Sequence, residues 1–368
     1  MKITVIQGAF FPVPPIMGGA VEKMWYLLGQ KFAARSHEVV HVSKKCAELP
    51  DYELVQGVTY VRVGGYESPA NRIFYKLLDC IYTFRAIRAV PDDTDVVVTN
   101  TFWAPLLLPL FRSARIYVDV ARMPKGQMRL YRAAARLRAN STPVAKAISK
   151  ELTANRQFQV GMIPNPLPYN ATDSVDLSRK DHSILFCGRI HPEKGLELLS
   201  KAASALPSGW TLSIVGPWQT AAGGGGAAYL KAMMSHFDAS KVRFIEPIYD
   251  IEKLNLLYKA AAIFVYPSVA EKGETFGLAP LEAMAWGAVP VVSDLACFKD
   301  FIVDGENGLI FNHRCHDASE KVAECISRLI DDPALRSRLG EQAIKVRTTH
   351  SPDAIADLFL ADFARMTT

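Results

Sequence analysis

The chain has few of the features that mark a metal-bound, disulfide-stapled or membrane-spanning protein. Its six cysteines, Cys46, Cys80, Cys187, Cys297, Cys315 and Cys325, include no C-x-x-C pair, so neither a zinc site nor a disulfide framework is indicated. They read as small core residues in a reducing compartment. No apolar run approaches the ~20 residues of a spanning helix, and the longest candidate, 103–111, is interrupted by Pro105 and Pro109. The opening Met1-Lys2-Ile3-Thr4-Val5-Ile6 is too short for a secretory signal and reads as a first strand. The dinucleotide fingerprint G-x-G-x-x-G is missing after that strand. The four glycines 223–226 lack the lysine a P-loop needs and read as a mobile surface loop. A net charge of +5 is too small to argue for nucleic acid, although it permits anionic substrates or a lipid surface. What remains is a soluble, cytosolic globular protein, and 49% hydrophobic with 21% charged residues is ordinary for one.

At 368 residues the chain exceeds what one core usually serves, so two domains are expected. Strand-like runs at 3–6, 37–42, 58–63, 95–99 and 115–120 alternate with helical spacing at 21–34, 71–90 and 128–138. Such alternation predicts a parallel sheet wrapped by helices, which binds ligands beyond the carboxyl ends of its strands. Ile163-Pro164-Asn165-Pro166-Leu167-Pro168 is the clearest linker. The alternation then restarts with strands at 183–187, 211–215, 242–245 and 263–266, and the tail from Asp332 is helical.

Three stretches carry chemistry. The strand ending at Tyr266 is followed by a loop with Glu274 and a helix containing Glu282. A helix N-terminus there would turn N–H groups and a positive dipole end toward an anion. On spacing alone, the two acids equally fit a dipole-stabilising Glu and a salt-bridged one. Gly188-Arg189 and Lys194-Gly195 flank a loop that predicts two cations at a helix N-terminus; a cation there is unfavourable unless an anion offsets it. Gly18-Gly19 precede the first helix, where a ligand could approach the backbone. Asp93-Thr94-Asp95 has the look of a metal-holding pair, but it lies before its strand, on the wrong edge of a parallel sheet, and reads as a solvated turn.

Glu274 to Glu282, with Phe276-Gly277-Leu278 after the first acid and Glu282-Ala283-Met284-Ala285 around the second, resembles the donor motif of retaining family-4 glycosyltransferases of the GT-B fold. Gly188–Gly195, Ile163-Pro164-Asn165-Pro166, Gly18-Gly19, His37-Glu38-Val39, 289–293 and 304–311 match further family stretches. The resemblance implies an α/β fold of two Rossmann-like domains whose parallel sheets face a central cleft. The boundaries it suggests are 1–165 for the acceptor, 166–345 for the donor, and a helix in 346–368 that returns to the first domain. It implies a nucleotide diphosphate sugar as donor and a saccharide or lipid-linked acceptor, in polysaccharide or lipopolysaccharide assembly. No metal is expected, and peripheral membrane contact stays open. Glu274 would face the sugar and Glu282 the ribose. Gly18, Gly19, Arg189, Lys194 and the N–H groups of Gly277 and Leu278 would meet the diphosphate, with Phe276 beside them, while the loop at Ile248 would pack on the base. One departure stands out: no His lies between His41 and His182, where relatives place one near the reacting sugar. Asp119, Arg122 and Lys125 are the candidates in its place, and each fits a structural role equally well. The basic positions Arg129, Arg132, Arg136 and Arg138 read most simply as a solvated helix face, and a phosphate-bearing or lipid-linked acceptor is the other contact they fit. A nucleotide-sugar epimerase and a non-catalytic sugar-nucleotide binding subunit are the alternatives.

Overall fold

The computed structural model describes the chain apart from residues 17, 18, 68, 70 and 368 and the side chains at 72 and 367. It forms two compact units, Met1–Asn170 with His350–Thr368, and Ala171–Thr349. The sequence placed the joins after 165 and after 345.

The first unit is built on an eight-stranded sheet of β1 (Lys2–Ile6), β2 (Glu38–Lys44), β3 (Tyr52–Val55), β4 (Val58–Val63), β5 (Val96–Thr99), β6 (Arg115–Val120), β7 (Ala134–Ala139) and β8 (Val160–Met162). Their order is β3-β4-β2-β1-β5-β6-β7-β8, parallel except for the β3–β4 hairpin. Helices α1 (Ala20–Ala33), α2 (Arg72–Arg88), α3 (Ala104–Leu107) and α4 (Thr142–Glu151) connect the strands. The second unit holds β9 (Asp181–Cys187), β10 (Thr211–Val215), β11 (Val242–Ile245), β12 (Ala261–Tyr266), β13 (Val289–Ser293) and β14 (Leu309–Phe311) in the order β11-β10-β9-β12-β13-β14, all parallel. Its helices are α5 (Leu199–Ser204), α6 (Gly226–Ser235), α7 (Ile251–Ala260), α8 (Leu278–Ala285), α9 (Ala318–Asp331), α10 (Pro333–Ala343) and α11 (Val346–Thr349). The central strands β5, β12 and β13 are buried along their whole length, so they are continuous apolar runs rather than alternating ones.

The last helix, α12 (Pro352–Thr367), completes the first unit. Phe359 and Phe363 are fully buried and pack edge-on against Phe32 and Tyr117, with Trp25 against Phe359. At its other end Lys31 of α1 and Arg35, just beyond that helix, pair with Asp353 and Asp357.

One expected helix is absent. Residues 128–138 form a 3-10 turn (Gln127–Leu130) followed by β7. The basic positions therefore do not share a helix face. Arg138 is fully buried, donating to Asp119 at 2.6 Å, to the Ile163 carbonyl at 2.7 Å and to Asn165 at 2.8 Å. A guanidinium can occupy a core strand when every donor has a partner. This one ties β7 and β6 to the linker.

Candidate functional site at the β9–β12 switch point

The second unit starts in the middle of its sheet at β9, runs outward through β10 to β11, then returns to β12 on the other side of β9. The strand order reverses between β9 and β12, and open α/β sheets bind ligands at such points, outside the carboxyl ends. The loops leaving these two strands, 188–195 and 267–277, hold Arg189, Lys194 and Glu274. They are laced together: the Val269 N–H and the Ser268 hydroxyl donate to the Glu193 carbonyl at 2.9 and 3.1 Å. Gly195, at φ 63°, passes so close to Pro267 that a Cβ would stand 2.2 Å from its carbonyl oxygen. Only glycine fits there.

Lys194 ends the 3-10 turn Pro192–Lys194 and stands next to a helix start, as expected: Gly195 caps the 3-10 turn Leu196–Leu198, which runs directly into α5. The anion that its charge requires is a side chain of the protein itself. The ammonium donates to Glu274 Oε2 and to the Tyr266 hydroxyl, each at 2.6 Å, and lies 4.8 Å from the Tyr266 ring centroid. The Lys194 and Glu274 side chains are only 9% and 12% exposed. Burial, then the neighbouring Glu274 charge, raises the Tyr266 phenol well above its usual value, so it stays protonated. Tyr266 was not anticipated as part of this group; its signal was its place as the last residue of a core strand.

Arg189 is 42% exposed, donates to the Gly223 carbonyl at 2.6 Å and stands 3.7 Å from Glu193. The glycine run expected to be a mobile loop is pinned instead. Gly224, Gly225 and Gly226 donate backbone hydrogen bonds to the carbonyls of Gln219, Ile190 and Trp218 at 2.8–2.9 Å. Those glycines let the loop lie flat on 188–195: a Cβ on Gly224 would sit 2.2 Å from the Trp218 carbonyl carbon.

Gly277 precedes α8 at φ 91°, with the Phe298 ring 2.4 Å from where a Cβ would be. The first N–H groups of α8, from Leu278 on, have no carbonyl one turn earlier to receive them. Phe276 is buried against Phe301. Glu282 is half-buried in α8, and its charge acts on Tyr258 and Cys187; burial is the main reason that thiol is pushed up to about 12. Ile248 is half-buried in the loop beyond the carboxyl end of β11.

In the first unit the order reverses between β1 and β5. Gly18 lies outside the described residues. Gly19, at φ 96°, caps α1, and the buried Glu22 carboxylate folds back over it. Burial raises that carboxyl's pKa and the Arg122 charge opposes the rise. Tyr75 stacks on Phe10 at 4.3 Å and also feels Asp79, Arg122 and Glu22. Arg122 and Lys125 lie exposed beyond β6. Asp119 is buried, accepting from Trp25 Nε1 at 2.8 Å and from Arg138. Asp93 and Asp95 lie at the amino edge, bonded to the ammonium and backbone of Lys2 at 3.0 and 2.7 Å.

Residues 171–346 match the model of the family described as glycosyl transferases group 1. A D-inositol 3-phosphate glycosyltransferase of Nocardiopsis dassonvillei is 28% identical over 86% of this chain and 83% of its own length. Sucrose-phosphate synthase from Thermosynechococcus elongatus superposes with a TM-score of 0.79 at 20% identity, over 99% of this chain and 98% of that one. The Anabaena protein HepE, solved with UDP and glucose, gives 0.74 at 16% identity over 99% of this chain and the whole of that one.

Proposed function

For a GT-B glycosyltransferase whose second unit belongs to the group 1 glycosyl transferases, we propose transfer of a sugar from a nucleotide diphosphate sugar to a saccharide or lipid-linked acceptor, with retention and without metal. The observation that carries the reading is the buried Lys194–Glu274 pair, set beside Arg189 at the β9–β12 switch point. An ammonium has three N–H donors. Lys194 gives two to Glu274 and Tyr266 and keeps the third for a phosphate oxygen in this reading. Arg189, held through one nitrogen, supplies a planar fork to the same diphosphate. Together with the start of α8 these groups are aimed at the leaving group, where negative charge grows as the glycosidic bond breaks. Glu282, on α8, takes the ribose hydroxyls.

Glu274 orients the sugar. Its carboxylate is engaged by an ammonium, which disfavours a role as covalent nucleophile. The step is then same-face substitution: the anomeric C–O bond to phosphate breaks, a bond to the acceptor oxygen forms, and the acceptor's proton passes to the departing phosphate. HepE's UDP and glucose make UDP-glucose the first donor to try. A lipid-linked acceptor draws support from α2, where Ile73 is 79% exposed beside the exposed Phe74 and Leu77. Incubation with a panel of UDP-, GDP- and ADP-sugars and candidate acceptors, in the presence of EDTA, should yield product whose anomeric configuration by NMR matches the donor. Inverted product, or turnover abolished by the chelator and restored by a divalent ion, would sink the reading.

A further inference from the structure

A cavity of about 600 Å³ opens in the first unit at the amino ends of β6 and β7. Arg112, Arg115, Arg132, Arg136 and Arg365 line it, against the single carboxylate of Asp362. That carboxylate is already engaged, accepting from the Tyr117 hydroxyl at 3.0 Å and from Arg136 at 3.0 and 2.9 Å. Two of the guanidiniums are fixed by carbonyls: Arg136 donates to Phe158 at 2.7 Å, and Arg112 to Val90 and Phe111 at 3.1 and 2.9 Å. Arg115, Arg132 and Arg365 are exposed, and among the described residues no carboxylate pairs with them. Arg156 stands behind Arg132, and burial together with that like charge lowers its pKa. With Arg136 paired to Asp362 and Arg112 standing 3.4 Å from Asp92, the other three guanidiniums leave a positive field that no carboxylate among the described residues meets.

Strands rise about 3.3 Å per residue, so the six-residue β6 separates this cavity from the carboxyl edge by roughly 20 Å. The cavity is therefore no part of the edge where the sheet presents Arg122 and Lys125. We infer that it binds a ligand carrying clustered phosphates. Arg112 and Arg136 form the pre-set floor, and Arg115, Arg132 and Arg365 close on the anion; planar forks of this kind take phosphate oxygens two at a time. A soluble polyphosphorylated compound and a phospholipid headgroup present the same chemistry, and the test separates them.

Inorganic tripolyphosphate is titrated calorimetrically into the full chain and into the Arg132→Glu/Arg365→Glu variant, whose changes are at exposed positions; a circular-dichroism melt checks folding. Any binding of the probe at the β9–β12 loops is common to both proteins and drops out of the difference. Each lost charge-assisted contact weakens binding severalfold or more, so the variant should bind at least about tenfold more weakly. The Arg132→Lys/Arg365→Lys variant should fall between them. Vesicles of phosphatidylcholine with phosphatidylglycerol form the second arm. Co-sedimentation that is lost in the Glu variant and displaced by tripolyphosphate assigns the site to a lipid headgroup; tripolyphosphate binding without co-sedimentation assigns it to a soluble phosphate. Identical isotherms for wild type and the Glu variant, or no binding of either probe to wild type, would overturn the inference.

Discussion

Lys194 is the residue on which most depends, because it serves the fold and the reaction at once. Removing one partner of a buried ion pair leaves an uncompensated charge and costs about 3–5 kcal/mol. Lys194→Ala should therefore melt well below wild type, and Lys194→Ala/Glu274→Ala should lose less than the sum of the single changes, as a denaturation cycle would show. In kinetics, loss of one preorganised donor at developing charge should lower kcat by about 10²-fold or more. A second residue tests the buried acids of the first unit. Asp79, on the inner side of α2, has its carboxyl pushed up to about 6 by burial. A raised folded pKa means that the folded state holds the proton more tightly than the unfolded chain. Its contribution to stability is full below about pH 4 and is lost as pH rises through about 6. Asp79→Asn should flatten the stability profile across that window and exceed wild type at pH 7 by up to about 3 kcal/mol. Equal pH slopes for the two proteins would refute the assignment.

At the scale of elements, the inner strands β5 and β12 were legible because burial on both faces makes them apolar runs, and 58–63, 211–215 and 242–245 also stand where the sequence put them. The antiparallel edge strand β3 was missed, although Gln56-Gly57, at φ 49° and 76°, is the left-handed pair of a tight hairpin turn. The sequence read β7 as a helix because Arg129, Arg132 and Arg136 recur at helical spacing. What decides its real conformation is the distant Asp119, which receives Arg138, and no local pattern shows that. Asp119 was singled out for an acceptor; its oxygens are occupied by Trp25 and Arg138 inside the unit. The chemistry of the second unit was more readable, since Lys194 and Glu274 each fall on a loop directly after an inner strand. The Tyr266 contact and the pinned glycine loop were not, because both depend on how two loops meet. Lys180 makes a further element-scale test: its ammonium donates to the carbonyls of Tyr258, Lys259 and Trp286 at 3.3, 2.9 and 2.6 Å, closing the C-terminal ends of α7 and α8. Lys180→Met strands those carbonyls and should cost about 2–3 kcal/mol in chemical denaturation; an unchanged midpoint would show the cap to be unimportant.

At the scale of the molecule, the chain is two separate open sheets, with α12 belonging to the first despite its place in the sequence. Phe359→Ala, which opens the aromatic cluster around Trp25 and Phe32, should destabilise the first unit by about 3–5 kcal/mol and leave nucleotide affinity of the folded protein unchanged. The central claim is that the diphosphate rests on Arg189, Lys194 and the start of α8, with Glu282 on the ribose. Its most direct test is calorimetric binding of whichever of UDP, GDP or ADP binds wild type, repeated on Arg189→Ala and Glu282→Ala. Both variants should bind at least roughly tenfold more weakly, since each loses a charged hydrogen-bonding partner. Dissociation constants unchanged in both would place the nucleotide elsewhere and contradict the account.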